Sequence, residues 1–351
     1  MADTLFSSAN NNTLKLWAKA AFKDSVKETI FGKLMGTSDR SIVQVKDELS
    51  KSAGDLVRFR LRALPNGIGV EGDETLEGRE EGLTFHNFDL KIDEKRHATK
   101  VTLGINQQRV NFDLRTEAKD ALVEWFSEYM DTTFIEFLSG STSLTYHTSA
   151  PNTSNAPSTN RIVYGGNATA KGDVDADDKM SLTVIDRLVE KAKLASPTMR
   201  KASFDGKNAF VLLLHPYQVY DLRTNTNAGQ WLDIQKAAMS GGDVTKNPIF
   251  TEALGVYNGV ILVESTRVKT FSDYGAGSVK AARALFMGAQ AAVCAFGRGF
   301  SGDEKMNWTE KTFDYGKRLG VAGTVVWGIQ KSRFNNEDFG VVAVDTAAAP
   351  H

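Results

Sequence analysis

Within Leu56-Val-Arg-Phe-Arg-Leu-Arg-Ala-Leu64 apolar and polar residues alternate from Val57 to Arg62, so a strand there carries Val57, Phe59 and Leu61 on one face and Arg58, Arg60 and Arg62 on the other. A second alternating run, Phe88-Asp-Leu-Lys-Ile-Asp93, is suited to pair with it antiparallel and to bring Asp89 and Asp93 near those arginines. Between the runs lies a long excursion from Pro65 to Gly82. Connections of that length in ordered proteins are usually functional or disordered. This one carries Glu71, Asp73, Glu74, Glu77, Glu80 and Glu81 against Arg79, a net charge of −5, with four glycines besides Gly82. Residues 1–50, by contrast, are polar and patchily helical, with Leu14, Leu16, Trp17 and Phe22 as scattered anchors. So few apolar positions cannot close a core of their own, and the segment reads as an arm that finds its partners elsewhere.

The strongest helical period runs from Asp113 to Leu138, where Leu122, Phe126, Met130 and Phe134 recur every fourth residue beside Trp125, Tyr129 and Phe137. Asp113 or Thr116 is placed to cap its start and Gly140 to end it, giving a rod roughly 39 Å long. From Ser139 to about Lys179 the chain turns to Ser, Thr, Asn and Gly, a surface insertion interrupted by one short strand at Arg161–Tyr164. Leu182, Ile185, Leu188, Val189 and Ala192 then define an amphipathic helix, capped by Ser181 and stopped before Pro197. Strands and helices alternate afterwards. Strands are predicted at Ala209–Leu214, Val260–Val263 and Ala284–Met287, and helices from Pro216 and around Trp231–Met239. Asn258-Gly259 is a tight-turn signal feeding the Val260 strand. Two late runs, Thr324–Gln330 and Phe339–Val344, are expected to pair with each other.

Composition narrows the function. The 351 residues are 41% hydrophobic and 24% charged, with 30 glycines and 7 prolines, which fits a folded mixed α and β chain. A net charge of −1 argues against a protein that grips phosphate; nucleic acid near this chain is expected to be enclosed by it, with no sequence-specific binding. The lone Cys294 lies in an apolar run and excludes an intrachain disulfide and a CxxC metal site. The first residues lack the basic and apolar halves of a signal peptide, and nowhere is there an apolar run of about 18 residues, so the chain is expected in a cytosol and not in a membrane.

Motifs that could carry catalysis or ligands are weak in context. Gly67-Ile-Gly69-Val-Glu-Gly72 has the GxGxxG spacing that brings a backbone close to a pyrophosphate, but acidic residues follow it where a helix should begin. Asp173-Val-Asp175-Ala-Asp177-Asp178 opens like a calcium loop yet has Asp178 at position six and Val184 at position twelve, where Gly and Glu are needed. The five histidines show no HExxH spacing, no serine sits in GxSxG, and no Gly-Lys pair has the upstream glycine of a P-loop. His215 before Pro216 reads as a strand-end residue. The expectation is therefore no catalytic, cofactor or metal site.

The order of parts resembles the Hong Kong 97-like fold of tailed-phage capsid proteins, and within it the N-four-like family of major capsid proteins. The residues carrying the resemblance are Gly54–Leu61, Val163-Tyr-Gly-Gly166, Leu182–Ala192, His215-Pro216, Leu254–Val260, Ala284–Gln290 and Asp314–Gly320. By that resemblance the chain is α+β: an N-terminal arm at 1–50, an extended loop with peripheral-domain strands at 51–112, and a spine helix, surface insertion and peripheral-domain helix at 113–203. An axial domain follows at 204–300, and strands returning to the peripheral domain at 301–351. The implied function is self-assembly, through hexamers and pentamers, of an icosahedral shell around double-stranded DNA. Some members of this fold form lysine–asparagine crosslinks and carry a long cleaved N-terminal segment. No crosslinking residue is matched here, and the region before Leu56 is too short for that segment, so a separate scaffolding protein is expected, together with a portal and a decoration protein.

For mechanism, the excursion carboxylates are expected to meet basic residues on a neighbouring copy, either Lys91, Lys95, Arg96 and Lys100 or Arg187, Lys191 and Lys193. Two rival readings are a cellular nanocompartment shell of the same fold, which would enclose a cargo enzyme, and a soluble α/β enzyme.

Overall fold

The computed structural model describes residues 29–46, 54–62, 68–147, 150–204, 207–225, 253–297 and 306–350. Along the chain the strands are β1 (Met35–Gly36), β2 (Val43–Lys46), β3 (Leu56–Arg62), β4 (Phe85–Lys91), β5 (Asp93–Thr102), β6 (Ile162–Tyr164), β7 (Ala202–Phe204), β8 (Lys207–Leu214) and β9 (Ala253–Tyr257). They continue with β10 (Val260–Glu264), β11 (Thr270–Tyr274), β12 (Val279–Met287), β13 (Ala292–Phe296), β14 (Met306–Phe313), β15 (Arg318–Lys331), β16 (Arg333–Phe334), β17 (Glu337–Asp338) and β18 (Val341–Ala347). The helices are α1 (Ile105–Arg109), α2 (Leu114–Ser139), α3 (Leu182–Leu194) and α4 (Pro216–Thr224). The predicted helix around Trp231–Met239 lies outside the described residues.

α2 begins and ends where the sequence predicts. The Asp113 side chain accepts from the Arg115 amide at 3.1 Å, and Gly140 closes the helix in the left-handed region at φ +68°. Its 26 residues are buried over most of the circumference towards the C-terminal end, so α2 is a rod embedded in the core and not an amphipathic surface helix. Two sheets meet around it. The first is ordered β1-β2-β13-β15-β14, with β5 on the other edge of β15; the second is ordered β6-β18-β12-β8-β10-β9, with β11 on β12 and β7 on β8. Phe126, Met130 and Phe134 of α2 pack with Cys294, Trp327 and Ile329 of the first sheet and with Val211, Leu213 and Leu285 of the second. Phe210, Leu212 and Leu214 point to the opposite face, where α3 and α4 cover them through Ile185, Leu188, Val219 and Leu222. With both faces of β8 covered, its sequence from Ala209 to Leu214 is an unbroken apolar run instead of an alternation.

Several expectations are corrected by the hydrogen bonding. The two late strands do not pair: β15 bonds β5, β13 and β14, whereas β18 bonds β12 and β6. The chain changes sheet between them through the β16–β17 hairpin, turned by Asn335 and Asn336 at positive φ. Ser181 stands at the start of α3 but its side chain makes no capping bond. α3 packs on the sheet that holds β8, β10 and β12. Residues 29–46 of the arm are held within their own chain: Phe31 stacks on Phe134 at 4.8 Å, and β2 runs parallel to β13. Asn258 and Gly259 form the predicted turn, both at positive φ, between β9 and β10.

Candidate functional site

The β3–β4 hairpin is the root of the excursion. Its register puts Arg58 opposite Asp89 and Phe59 opposite Phe88. Arg58 forks on to Asp89 with Nε and Nη2 at 2.6 and 2.7 Å, and that hydrogen-bonded guanidinium holds the Asp89 carboxyl below the usual carboxylate range. Asp93 is not part of this pairing; it begins β5, opposite Trp327. On the inner face Val57, Phe59 and Leu90 pack against Val293 and Ala295 of β13. Asn152 of the insertion clamps the base, its side chain bonding both the amide and the carbonyl of Lys91 at 3.0 and 2.8 Å. A rigid base therefore carries the excursion.

Beyond the base, residues 68–84 form no helix or strand. Turns hold them locally: the Arg79 amide donates to the Leu76 carbonyl at 3.0 Å, the Gly78 amide donates to the Glu80 carboxylate at 2.7 Å, and Arg79 pairs with Glu74. Glu71, Asp73, Glu74, Glu77, Glu80 and Glu81 are all exposed. So are Leu76 and Leu83 at 59% and 58%, Phe85 at 52%, and Ile68 completely. Isolated apolar residues on a surface are ordinary, but here four of them lie within 18 residues of one segment.

The predicted basic cluster does not stay together. Because side chains alternate across a strand, β5 sends Lys95 to the α2 side and Arg96 and Lys100 to the other. Lys95 donates to the Tyr146 carbonyl and lies over the Tyr129 ring, and His97, on the same side, stacks on Trp125 at 4.1 Å. Arg96 is exposed beside Glu94 at 3.7 Å, Lys100 lies over Phe313 at 4.5 Å, and Lys91 is exposed at the end of β4. In the second candidate group, Arg187 donates to the Gly166 carbonyl and Lys191 to the Ile162 carbonyl at 2.7 and 2.8 Å, while Lys193 is exposed.

The remaining motifs have structural roles. Ile68–Gly72 is exposed coil with no helix after it. In the acidic turn, Asp173 accepts from Thr169 and from the Ala170 amide, while the buried Asp178 accepts from the Asn167 and Asp175 amides. Among the described residues no three His, Cys, Asp or Glu side chains gather as a metal site. His215 caps α4, its Nδ1 accepting from the Tyr217 amide at 3.2 Å. No helix among the described residues is long and apolar enough to cross a membrane.

Sequence reasoning missed the charges that join the layers. Asp131 and Glu136, both buried on α2, take Arg267 at 3.2 Å and Lys269 at 2.7 Å from the segment before β11. Asp131 also accepts from the Ile30 and Phe31 amides, and Glu136 from Thr145, so arm, insertion and second sheet converge on one helix. The only sequence signal was the presence of two carboxylates in the apolar half of a helix, and their partners lie more than a hundred residues away.

This arrangement, a projecting loop on a clamped hairpin, a buried spine and two sheets, has counterparts among known proteins. A family model described as phage capsid protein matches residues 5–350. The major capsid protein of Pseudomonas phage KPP25 is 26% identical, covering 98% of this chain and 98% of its own. The capsid of Ralstonia phage GP4 is 35% identical with a TM-score of 0.83 over 99% of both chains. The capsid asymmetric unit of Cyanophage Pam1, at 23% identity, shares the fold with a TM-score of 0.73 over 100% of both. With nearly its whole length accounted for by that model, the chain belongs to the phage capsid protein family and has the Hong Kong 97-like α+β fold.

Proposed function

We propose that the chain is the major capsid protein of a tailed phage, which closes an icosahedral shell by laying its excursion across a neighbouring copy. The observation that carries this reading is the excursion itself, exposed at every residue of 68–84 except the half-buried Val70 and bearing both the six carboxylates and Ile68, Leu76 and Leu83 on a base locked into the core. Burying each such apolar side chain contributes roughly 1.5–3 kcal/mol, whereas an exposed ion pair contributes about 0–1 kcal/mol. Apolar contact therefore supplies the cohesion, and the carboxylates set register and reject wrong neighbours. The shell encloses DNA without gripping it, in keeping with the net charge of −1. A scaffolding protein, a portal and a decoration protein are separate chains in this reading.

Reversing Glu77, Glu80 and Glu81 to Lys tests the electrostatic part. Negative-stain microscopy should find few or no closed shells for the variant under conditions where the parent assembles. Unchanged assembly with unchanged salt tolerance would overturn it.

A further inference from the structure

Arg161 ends the helical turn Thr159–Arg161 that leads into β6, and its side chain is only 1% exposed. Nη2 donates to the Pro197 carbonyl at 2.8 Å, but Nε and Nη1 are buried without a hydrogen-bond partner. The carboxylates that act on its charge are Glu337 and then Asp338, and Asp338 is shared with Lys331 at 2.8 Å and Arg333 at 3.3 Å. A desolvated guanidinium with open donors is costly until an anion meets it.

Arg161 lines a cleft of about 670 Å³ between β6 and α3, together with Arg187, Lys191, Leu194 and a single carboxylate, Glu190. Arg187 and Lys191 are steadied by the Gly166 and Ile162 carbonyls. Each of those bonds uses one donor of a head group that carries five or three. Burial, with Arg161 and Arg187 close by, holds the Lys191 ammonium below its ordinary pKa, as expected where positive charge is crowded. Leu194, 77% exposed, adds an apolar patch on the same helix face, one turn beyond Lys191.

The excursion carries the complementary pattern, a leucine flanked by carboxylates in Glu74-Thr-Leu-Glu77. We propose that the cleft receives this segment from a neighbouring copy, one carboxylate meeting Lys191 and Arg187, the other drawn to the positive charge of Arg161 beneath the cleft wall, and Leu76 covering Leu194. The proposal rests on the reading that the excursion docks on a neighbour, and names where. Glu74 gives up Arg79 to do so, an exposed pair whose loss costs little. The outer face of β5 is the weaker receptor, because Arg96 and Lys100 are solvated and leave no polar group in need of a partner.

The test uses the full chain with Cys294→Ser, Thr75→Cys and Glu190→Cys, assembled and then mildly oxidised. A non-reducing gel should show a ladder of linked chains that needs both new cysteines. Independently, Lys191→Glu should raise the subunit concentration needed for shells by about tenfold or more, and adding Glu77→Lys should restore it. Intact shells that give no ladder would overturn the cleft, as would Lys191→Glu shells forming at the parent concentration. If either occurs while the triple reversal of Glu77, Glu80 and Glu81 still abolishes shells, the docking excursion stands and only its receptor is wrong; if that reversal also assembles normally, both fall.

Discussion

A carboxylate at 1% exposure has to be answered on the spot, and Asp345 is answered three times. Arg283, directly across the β12–β18 ladder, reaches it with Nε and Nη2 at 2.7 Å each, and the Tyr274 hydroxyl donates to it at 2.7 Å. Burial and that carboxylate push the Tyr274 hydroxyl well above the ordinary tyrosine pKa, so it stays a donor. Arg283 also donates from Nη1 to the carbonyl of Ser139 at 3.0 Å, which ties the second sheet to the last residue of α2. Removing one partner strands the other, so Asp345→Ala should destabilise the unassembled subunit by about 3–5 kcal/mol in urea unfolding. The double change Arg283→Met, Asp345→Leu should cost less than the single one, because no buried charge is left alone; equal or greater loss would show that geometry, not charge, is what the pair supplies.

Helix ends in this chain depend on single residues. Gly140 has φ +68°, and a Cβ there would lie 2.3 Å from the Asn155 carbonyl oxygen, so Gly140→Ala should cost more than the roughly 1–2 kcal/mol of left-handed backbone strain alone, read from the urea midpoint. At the start of α4 the His215 cap accepts a hydrogen bond, which requires a neutral ring, and burial lowers its pKa from 6.5. Below that ordinary value the unfolded chain binds the proton more readily, so stability contributed by His215 is full above about pH 6.5 and is lost as pH falls through its folded pKa. His215→Asn keeps an acceptor without a titrating group, and its loss of stability between pH 7.5 and 5.5 should be smaller than the parent's. Some loss should remain, because burial depresses His147 as well. Elements of this kind were legible because their signals are local: the Asp113 cap, the Gly140 stop, the Asn258-Gly259 turn and the Val57/Arg58 alternation. β5 was not. Its ten residues, Asp-Glu-Lys-Arg-His-Ala-Thr-Lys-Val-Thr, carry no apolar period, since the side facing α2 is built from Lys95, His97 and Thr99. The strand exists because β15 offers it an edge, and that same alternation divides a basic cluster that looks continuous in sequence.

For the whole molecule, the order of parts was legible and the joining of parts was not. Nothing local announces that β15 and β18 serve different sheets, or that Arg161 is buried with donors to spare, because both depend on pairings across the full chain. In the proposed reading, folding and assembly divide along a line the sequence did mark, the acidic excursion between two alternating strands. Val57, Phe59 and Leu90 seat the hairpin base in the core, whereas residues 68–84 remain outside it. Replacing residues 63–84 with Asn-Gly would join Arg62 to Phe85, paired residues at the open end of the ladder, through a two-residue turn suited to hairpins. The shortened chain should unfold at the parent's urea midpoint, within about 0.5 kcal/mol, because no described core residue is removed and a shorter loop costs no more entropy to close. It should nevertheless form no closed shells by negative-stain microscopy. A large fall in the midpoint would mean that the excursion also stabilises its own subunit. An unchanged midpoint with shells still forming would place the adhesive surface elsewhere, leaving the carboxylates and Ile68, Leu76 and Leu83 as solvated ornament to a fold that assembles by other contacts.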